Sequence, residues 1–212
     1  MPVNLADFLR LRPTFYHLTD QANLESFARS QLIEPAAALI RRSDQPNWLG
    51  RRRIEPVSIE VDGRTVVLKD QKPLIFANAA LADGWQRDDF VAYLNEHVFF
   101  WPGDERGPIK HGARLFGRYE SDGPAIIRVP SADLLAANPD VPPLLCAFNS
   151  GAPRMNGGKP VPRGPDLFAS PSNFPRPPGK VVEVVFRGAV QLPLSAEVLS
   201  SSGDWQPLGA SD

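Results

Sequence analysis

The chain has 212 residues, of which 42% are hydrophobic, and a formal net charge of −1, which excludes a global basic field for nucleic acid. A chain of this length buries enough surface to fold without a staple, and its lone cysteine, Cys146, excludes an internal disulfide and a cysteine-rich zinc site. No stretch approaches the roughly 20 apolar residues that span a bilayer, and the N-terminus lacks a signal-peptide core, so we expect a cytoplasmic protein that does not enter a membrane.

Helix and strand signals alternate along the chain and predict a single α+β domain over residues 1–212, with its core at about 13–195. In chain order they predict a strand at 15–18, a helix capped by Thr19 or Asp20, an irregular arginine-rich segment at 34–53, a β-hairpin at 56–68, a helix at 86–96, a strand at 97–102, a helix or turn at 113–118, a strand at 124–129, a short helix from Ser131, and a strand at 180–186. Residues 139–179 are loop-rich and hold 11 of the 23 prolines. A loop this long inside a domain is usually functional or disordered.

Glu183 is the most unusual residue, because Val181, Val182, Val184, Val185 and Phe186 surround it. A carboxylate within such a strand is costly to bury without a partner. The simplest interpretation is that Glu183 faces solvent on a half-exposed strand. The alternative is a functional carboxylate, which the apolar neighbours on the same face favour.

His17 and the arginine cluster at 51–53 also have two interpretations. A lone histidine before a helix cap is more often a hydrogen-bonded structural residue than a ligand-binding one. The arginines form either a solvated face or a bidentate grip on phosphate. Three scattered histidines give no metal signature, so we expect no metal.

Four short segments, taken together and in order, resemble the ADP-ribosyltransferase-like superfamily and, within it, the DarT-type DNA ADP-ribosyltransferase toxins and their uncharacterised relatives. These segments are Tyr16-His17-Leu18-Thr19 with Ala22-Asn23-Leu24, Leu49-Gly50 with Arg52-Arg53 and Val57, His97 to Pro102, and Val182-Glu183-Val184. The resemblance spans residues 16–186. It departs from those toxins after the third segment, where Gly103 to Pro108 replace their N-P-R-S-P-M-L-Y sequence, and in the loop before Glu183.

The resemblance implies a split β-sheet core with flanking helices and NAD⁺ as the substrate, bound in the cleft between the sheets. Catalysis would fall to Glu183 and Arg53, with Arg53 also holding phosphate. Contacts to NAD would come from His17, Thr19, Asn23, Arg52, Phe100 and Trp101. An ionised carboxylate beside the ribose stabilises the positive charge that develops when the nicotinamide bond breaks.

The acceptor of the ADP-ribose is left open between nucleic acid, protein and a small molecule. Arginine-modifying relatives carry Glu or Gln two residues before the catalytic Glu, and Val181 in that position argues against an arginine acceptor. We expect residues 163–176 to flank the cleft mouth and Asp166, Ser170, Ser172 and Asn173 to contact the acceptor. The resemblance also implies a toxin or defence effector with an antitoxin partner. Two alternatives remain, an NAD glycohydrolase and a non-catalytic binding module on the same fold.

Overall fold

The computed structural model describes residues 2–76, 79–152, 155–156, 159–199 and 203–209. Within them the helices are α1 (Leu5–Leu11), α2 (Leu24–Ser30), α3 (Ala36–Arg42), α4 (Arg87–Asn95), α5 (Lys110–Tyr119) and α6 (Ser131–Ala137). The strands are β1 (Thr14–Thr19), β2 (Leu32–Ile33), β3 (Val57–Val61), β4 (Arg64–Leu68), β5 (His97–Asp104), β6 (Gly107–Pro108), β7 (Ala125–Pro130), β8 (Pro143–Cys146), β9 (Met155–Asn156), β10 (Lys159–Pro160), β11 (Glu183–Arg187), β12 (Val190–Gln191), β13 (Glu197–Leu199) and β14 (Trp205–Pro207). The predicted α+β class is confirmed.

Eight strands form an antiparallel sheet in the order β14-β13-β7-β1-β5-β11-β8, with β6 also paired to β5. The long strand β5 changes its partners along its length. Its later residues pair with β1, from Tyr16↔Trp101 to Thr14↔Gly103, whereas its earlier residues pair with β11, from Val184↔Phe100 to Arg187↔His97. The register with β1 ends at Tyr16, and His17 is the first residue of β1 beyond that pairing.

Different helices cover the two faces of this sheet. On one face, α1 and α6 cover a core to which the strands contribute Phe15, Phe100, Val184 and Phe186. On the other face, α4 packs its Phe90, Val91 and Leu94 against Val185, and α5 packs Phe116 against Tyr16 and Trp101. Adjacent residues of a strand point to opposite faces, so the sequence of β5 and β11 decides which side chains can share a site.

The β3–β4 hairpin stands apart from the large sheet and packs on α3. Asp62 and Gly63 form its tip with φ of 52° and 76°, the left-handed conformation that this two-residue turn needs. Ile40 of α3 is fully buried against Ile59 and Val61 of the hairpin. The segment 34–53, predicted to be irregular, therefore contains a helix that anchors the hairpin.

Strand β8 lies inside the loop-rich segment 139–179, and the sequence did not predict it. Its four residues pair with β11, with Cys146 opposite Glu183 and Leu145 opposite Val184. Residues 153–154 and 157–158 of the same segment lie outside the described residues. The strand places the start of the loop that follows Cys146 next to Glu183.

Candidate active site

A cavity of about 270 Å³ is lined by residues of β1, α3, the β3–β4 hairpin, β5, β11 and the loop after β8. Six of the eight residues that the sequence assigned to catalysis or NAD binding line it, namely His17, Thr19, Asn23, Arg53, Trp101 and Glu183. Most of the remaining wall is apolar, with side chains such as Leu39, Leu68 and Phe99. An apolar cavity with a few converging polar groups has the general form of a small-molecule site.

Glu183 is the first residue of β11 and is only 1% exposed, so the solvent-facing interpretation is wrong. Its neighbours Val184 and Phe186 are both fully buried in the core. The Glu183 carboxylate accepts a hydrogen bond from the Ser150 backbone N–H, with 3.0 Å between Oε2 and N. Burial raises the pKa of Glu183 to about 7, while the Ser150 hydroxyl, the Ser150 N–H and the positive charge of Arg163 act against this rise. Near neutral pH this carboxyl group can therefore both release and accept a proton.

Ser150 and Arg163 are the site residues that the sequence analysis missed. Ser150 is 3% exposed and Arg163 is 2% exposed. Arg163 donates from Nε to the Ser150 carbonyl oxygen at 3.2 Å and from Nη2 to the Ala152 carbonyl oxygen at 2.5 Å. The one signal in the sequence was an arginine between a proline and a glycine at residues 162–164, and this signal does not identify its partners.

His17 lies where β1 has parted from β5, and its side chain crosses to that strand. Its Nδ1 is 2.9 Å from the carbonyl oxygen of Phe99. Because a carbonyl only accepts, Nδ1 carries the proton and leaves Nε2 as the acceptor in the neutral ring. Burial lowers the pKa of His17, against the effect of the hydrogen bond to Phe99, so the ring stays neutral at pH 7. The imidazole also packs on the Phe100 ring, with 5.4 Å between centroids.

Asn23 has a structural role that the resemblance did not imply. Its Nδ2 donates to the Val67 carbonyl oxygen at 2.8 Å and to Thr19 Oγ1 at 3.1 Å, while its Oδ1 accepts from the Val67 N–H at 3.0 Å. Both amide hydrogens are thus engaged. Asn23 and Thr19 consequently fix the hairpin strand β4 to the end of β1 and shape the cavity wall.

Of the two adjacent arginines, the structure places Arg53 in the cavity wall and Arg52 outside it. Arg53 is 5% exposed, lines the cavity, and donates to the Lys69 carbonyl oxygen at 2.8 Å and to Asn95 Oδ1 at 3.1 and 3.2 Å. Burial lowers the pKa of Arg53 to about 10, although Asp70 opposes this, so the side chain remains a cation at pH 7. Arg52 instead donates to the carbonyl oxygens of Gln71 and Lys72 and does not line the cavity.

Phe100 and Trp101 were both expected to contact NAD, but they point to opposite faces of β5. Trp101 lines the cavity together with Phe99, whereas Phe100 is fully buried in the core on the other side of the sheet. The pleat of a strand prevents neighbouring residues from sharing one face. Phe100 can act on the site only from beneath His17.

The four residues expected to contact the acceptor, Asp166, Ser170, Ser172 and Asn173, do not line the cavity. Ser170 and Ser172 lie 3.0 Å apart, hydroxyl to hydroxyl. The part of the long loop that reaches the cavity is instead Asn149 to Gly151. The expectation that residues 163–176 flank the cleft mouth stays a prediction. The loop residues that line the cavity itself are 149–151, which follow β8 and meet Glu183.

A second carboxylate, Asp70, lies in the cavity wall. Its Oδ1 accepts from the Tyr119 hydroxyl at 2.6 Å and from the Lys72 backbone N–H at 2.9 Å, and its Oδ2 is 3.5 Å from Lys72 Nζ. Burial, with help from Asp70, raises the pKa of Tyr119. These contacts hold the end of the hairpin against α5. They commit Oδ1 of Asp70 to protein partners, while Oδ2, which accepts no hydrogen bond among the described residues, is paired with the Lys72 ammonium. Glu183, whose pKa is raised to about 7, is the better candidate for a reacting carboxylate that also transfers a proton.

Residues 13–196 match the model of a family of unknown function (DUF7002), and the chain belongs to that family. No curated protein and no solved structure matches the chain. Across the described residues there is no group of three or more His, Cys, Asp or Glu side chains arranged to hold a metal ion. Nor does any helix in that part of the chain have the length and apolar character needed to cross a membrane.

Proposed function

We propose that this protein cleaves NAD⁺ and transfers its ADP-ribose to an acceptor, with Glu183 as the catalytic carboxylate. The observation that supports this most directly is the position of Glu183, buried at 1% exposure in the wall of the cavity that His17 and Arg53 also line. A carboxylate, a neutral hydrogen-bond acceptor and a fixed cation match the three polar parts of NAD⁺, which are the reacting ribose, its hydroxyls and the pyrophosphate.

In the proposed reaction the bond between ribose C1′ and the nicotinamide nitrogen breaks, and nicotinamide leaves with the electron pair as a neutral molecule. The ribose becomes an oxocarbenium ion, and ionised Glu183 stabilises its charge. The acceptor then attacks C1′ and loses a proton, for which a carboxyl group with a pKa of about 7 is a suitable base near neutral pH. The apolar wall around Glu183 strengthens the electrostatic part of this catalysis.

His17 and Arg53 are assigned to substrate binding on the basis of their hydrogen-bonding capacity and charge. With Nδ1 committed to the Phe99 carbonyl oxygen, Nε2 of His17 can accept a hydrogen bond from a ribose hydroxyl. Arg53 is a cation in the same wall, suited to a phosphate oxygen. The cavity volume of about 270 Å³ lies just below the usual range of ligand sites, roughly 300–1,000 Å³, so we expect it to enclose only part of NAD⁺.

The acceptor class remains nucleic acid, protein or a small molecule. Val181, two residues before Glu183, is 1% exposed in the core and supports the argument against an arginine acceptor. Hydrolysis is the second candidate reaction, because a carboxyl group with a pKa of about 7 can accept a proton from water at neutral pH. A role as a toxin with an antitoxin partner is a further part of the proposal that rests on the resemblance.

The test is incubation of the purified protein with NAD⁺ labelled in its adenylate phosphate, in the presence of cell lysate. Label recovered on DNA, RNA or protein identifies the acceptor class, and free nicotinamide with unlinked ADP-ribose identifies hydrolysis. Glu183→Gln is the control, because it keeps the shape of the side chain and removes its charge. NAD⁺ that remains intact with the wild-type protein would contradict the proposal and favour a non-catalytic binding module.

A further inference from the structure

The turn at residues 149–152 contacts Glu183 but does not belong to the sheet that carries it. Ser150 donates its N–H to Glu183, and the turn is closed by a hydrogen bond from the Ala152 N–H to the Asn149 carbonyl oxygen at 3.2 Å. It follows β8 by two residues, Ala147 and Phe148. Because the turn lacks the ladder of hydrogen bonds that holds a strand, contacts from outside it contribute to holding its backbone in place.

Arg163 supplies that hold. Its guanidinium donates to two carbonyl oxygens within the turn, those of Ser150 (3.2 Å) and Ala152 (2.5 Å). It also donates to the carbonyl oxygen of Val161 (3.2 Å). It also lies over the Phe148 ring, with 4.4 Å between Cζ and the ring centroid. A planar arginine fork can satisfy several carbonyl oxygens at once in one fixed geometry, which the point charge of a lysine cannot do.

The backbone of Arg163 is itself fixed to a separate segment. Its N–H donates to the Ala80 carbonyl oxygen at 3.0 Å, and its own carbonyl oxygen accepts from the Ala82 N–H at 2.8 Å. The next residue, Gly164, packs so closely that a Cβ there would lie 2.5 Å from Ala82 Cβ. Arg163 therefore connects the turn that meets Glu183 to the segment at residues 80–82.

We propose that Arg163 is a positioning residue for Glu183, which acts through the Ser150 turn and sets both the orientation and the protonation of the carboxylate. This inference rests on the proposed function for its effect on turnover, but its effect on Glu183 does not depend on any reaction. A buried arginine that merely stabilised the loop would alter the stability of the fold, and its exchange for lysine, which keeps the positive charge, would leave the titration of Glu183 unchanged.

The titration of Glu183 responds to the charged and titratable groups that surround it. Arg163 lies on one side, and the Cys146 thiol lies opposite Glu183 on β8. Burial and the charge of Glu183 raise the pKa of Cys146, so the thiol stays neutral. Replacing Arg163 leaves the chemical identity of every other group in place, so a shift in the titration midpoint reports on Arg163 itself. The other charged and titratable groups in the cavity wall are His17, Glu34, Arg53, Lys69, Asp70, His97 and Tyr119.

The experiment compares Arg163→Lys and Arg163→Met with the wild-type protein in two measurements. The first is the pH titration of Glu183 by ¹³C NMR on protein labelled at the glutamate carboxyl carbon, with the resonance assigned by its loss in Glu183→Gln. Arg163→Met should raise the titration midpoint by about one pH unit, since it removes a nearby positive charge and loosens the Ser150 donors. Arg163→Lys should raise the midpoint less, because the charge remains.

The second measurement is the pH profile of NAD⁺ consumption. Arg163→Lys should lower kcat roughly ten-fold with little change in KM, because a displaced carboxylate weakens the transition state more than binding. Arg128 provides the matched control, since it bonds Glu197 and lies over the Trp205 ring at 4.3 Å, outside the cavity wall. Arg128→Lys and Arg128→Met should leave the midpoint and kcat unchanged.

An unchanged Glu183 midpoint in folded Arg163→Lys, whatever the shift in Arg163→Met, or an equal shift in Arg128→Met, would overturn the inference. If Arg163→Met does not fold, Arg163→Lys and Ser150→Ala decide, because both keep the buried charge and each disturbs one link to Glu183. If the wild-type protein leaves NAD⁺ intact, the proposed function fails. The NMR titration then still decides the role of Arg163.

Discussion

Replacing Glu183 with glutamine is expected to abolish NAD⁺ consumption and, above neutral pH, to stabilise the fold. The folded-state pKa of about 7 lies above the usual value of 4.5, so the folded protein binds the proton more tightly than the unfolded chain does. Its stability therefore falls as the pH rises from about 4.5 to about 7 and stays lowered above that range. Each unit of pKa corresponds to about 1.4 kcal/mol, which makes the cost of ionised Glu183 about 3 kcal/mol at pH 8.

Glutamine avoids this cost, because it is neutral at every pH and its amide oxygen can still accept from the Ser150 N–H. For a chain of this size, about 3 kcal/mol corresponds to an increase in Tm of roughly 6–12 °C at pH 8. At pH 4.5 and below, both proteins are neutral at this position and should have similar stabilities. The measurement is the midpoint of urea or thermal unfolding at pH 4.5 and pH 8, alongside NAD⁺ turnover.

Glu96→Gln is the matched control, because it removes a carboxylate whose pKa is lowered in the folded protein, whereas that of Glu183 is raised. Burial raises the pKa of Glu96, but hydrogen bonds and charges from Arg41 and Arg187 outweigh it and leave the pKa below its usual value. This variant should lose stability at pH 8 and show no gain. A Glu183→Gln protein that is no more stable than wild type at pH 8, or equally stabilised at both pH values, would refute the reasoning from burial.

Three further predictions follow from the cavity. The rate of NAD⁺ consumption should fall as the pH drops through about 7, because ionised Glu183 is needed, and a pH–rate profile that is flat from pH 5 to 8 would contradict this. His17→Phe keeps the ring and removes both nitrogens, so we expect the affinity for NAD⁺, measured by calorimetry, to drop roughly ten-fold, as for one lost hydrogen bond. Arg53→Lys should weaken NAD⁺ binding and lower the free energy of unfolding by about 2 kcal/mol through lost buried hydrogen bonds, whereas Arg52→Lys should leave binding unchanged.

Local signals in the sequence predicted the elements that frame the site. The hairpin at 56–68 follows from Asp62-Gly63 between two apolar runs, since few other residues adopt the positive φ that the turn requires. Glu183 was conspicuous because an acid interrupts five apolar residues, and such a pattern does not depend on distant contacts. Helical spacing likewise predicted α4, observed at Arg87–Asn95 and capped by Gln86.

The missing parts of the site depend on contacts that no local pattern records. Strand β8 is four residues long and begins with Pro143, so its sequence resembles the surrounding loop, and only its pairing with β11 makes it a strand. Ser150 and Arg163 meet Glu183 through that pairing and through the segment at 80–82. The resemblance implied that both Phe100 and Trp101 contact NAD, although the pleat sends these two side chains to opposite faces.

The prediction that residues 163–176 choose the acceptor cannot be tested by replacing residues 166–174 with a flexible segment. Leu167, Phe168 and Phe174 are at most 9% exposed, and Phe168 stacks on Tyr93 with 5.6 Å between ring centroids, so such a replacement would remove core side chains. A better variant changes to alanine only the four polar residues that were assigned to the acceptor, Asp166, Ser170, Ser172 and Asn173. Surface changes of this kind leave the fold nearly unaffected.

Asn149→Ala supplies the contrast, because Asn149 lines the cavity beside Ser150 whereas the four polar residues do not. If residues 163–176 choose the acceptor from outside the cavity, the four-residue variant loses transfer of label while it keeps NAD⁺ affinity and nicotinamide release within a few-fold. If the acceptor is instead recognised at the turn that meets Glu183, Asn149→Ala loses transfer and the four-residue variant transfers normally. The second outcome would refute the assignment of those four residues and place acceptor choice at the turn held by Arg163. In that case the pairing of β8 with β11, and not the composition of the loop, decides which residues reach the reacting ribose.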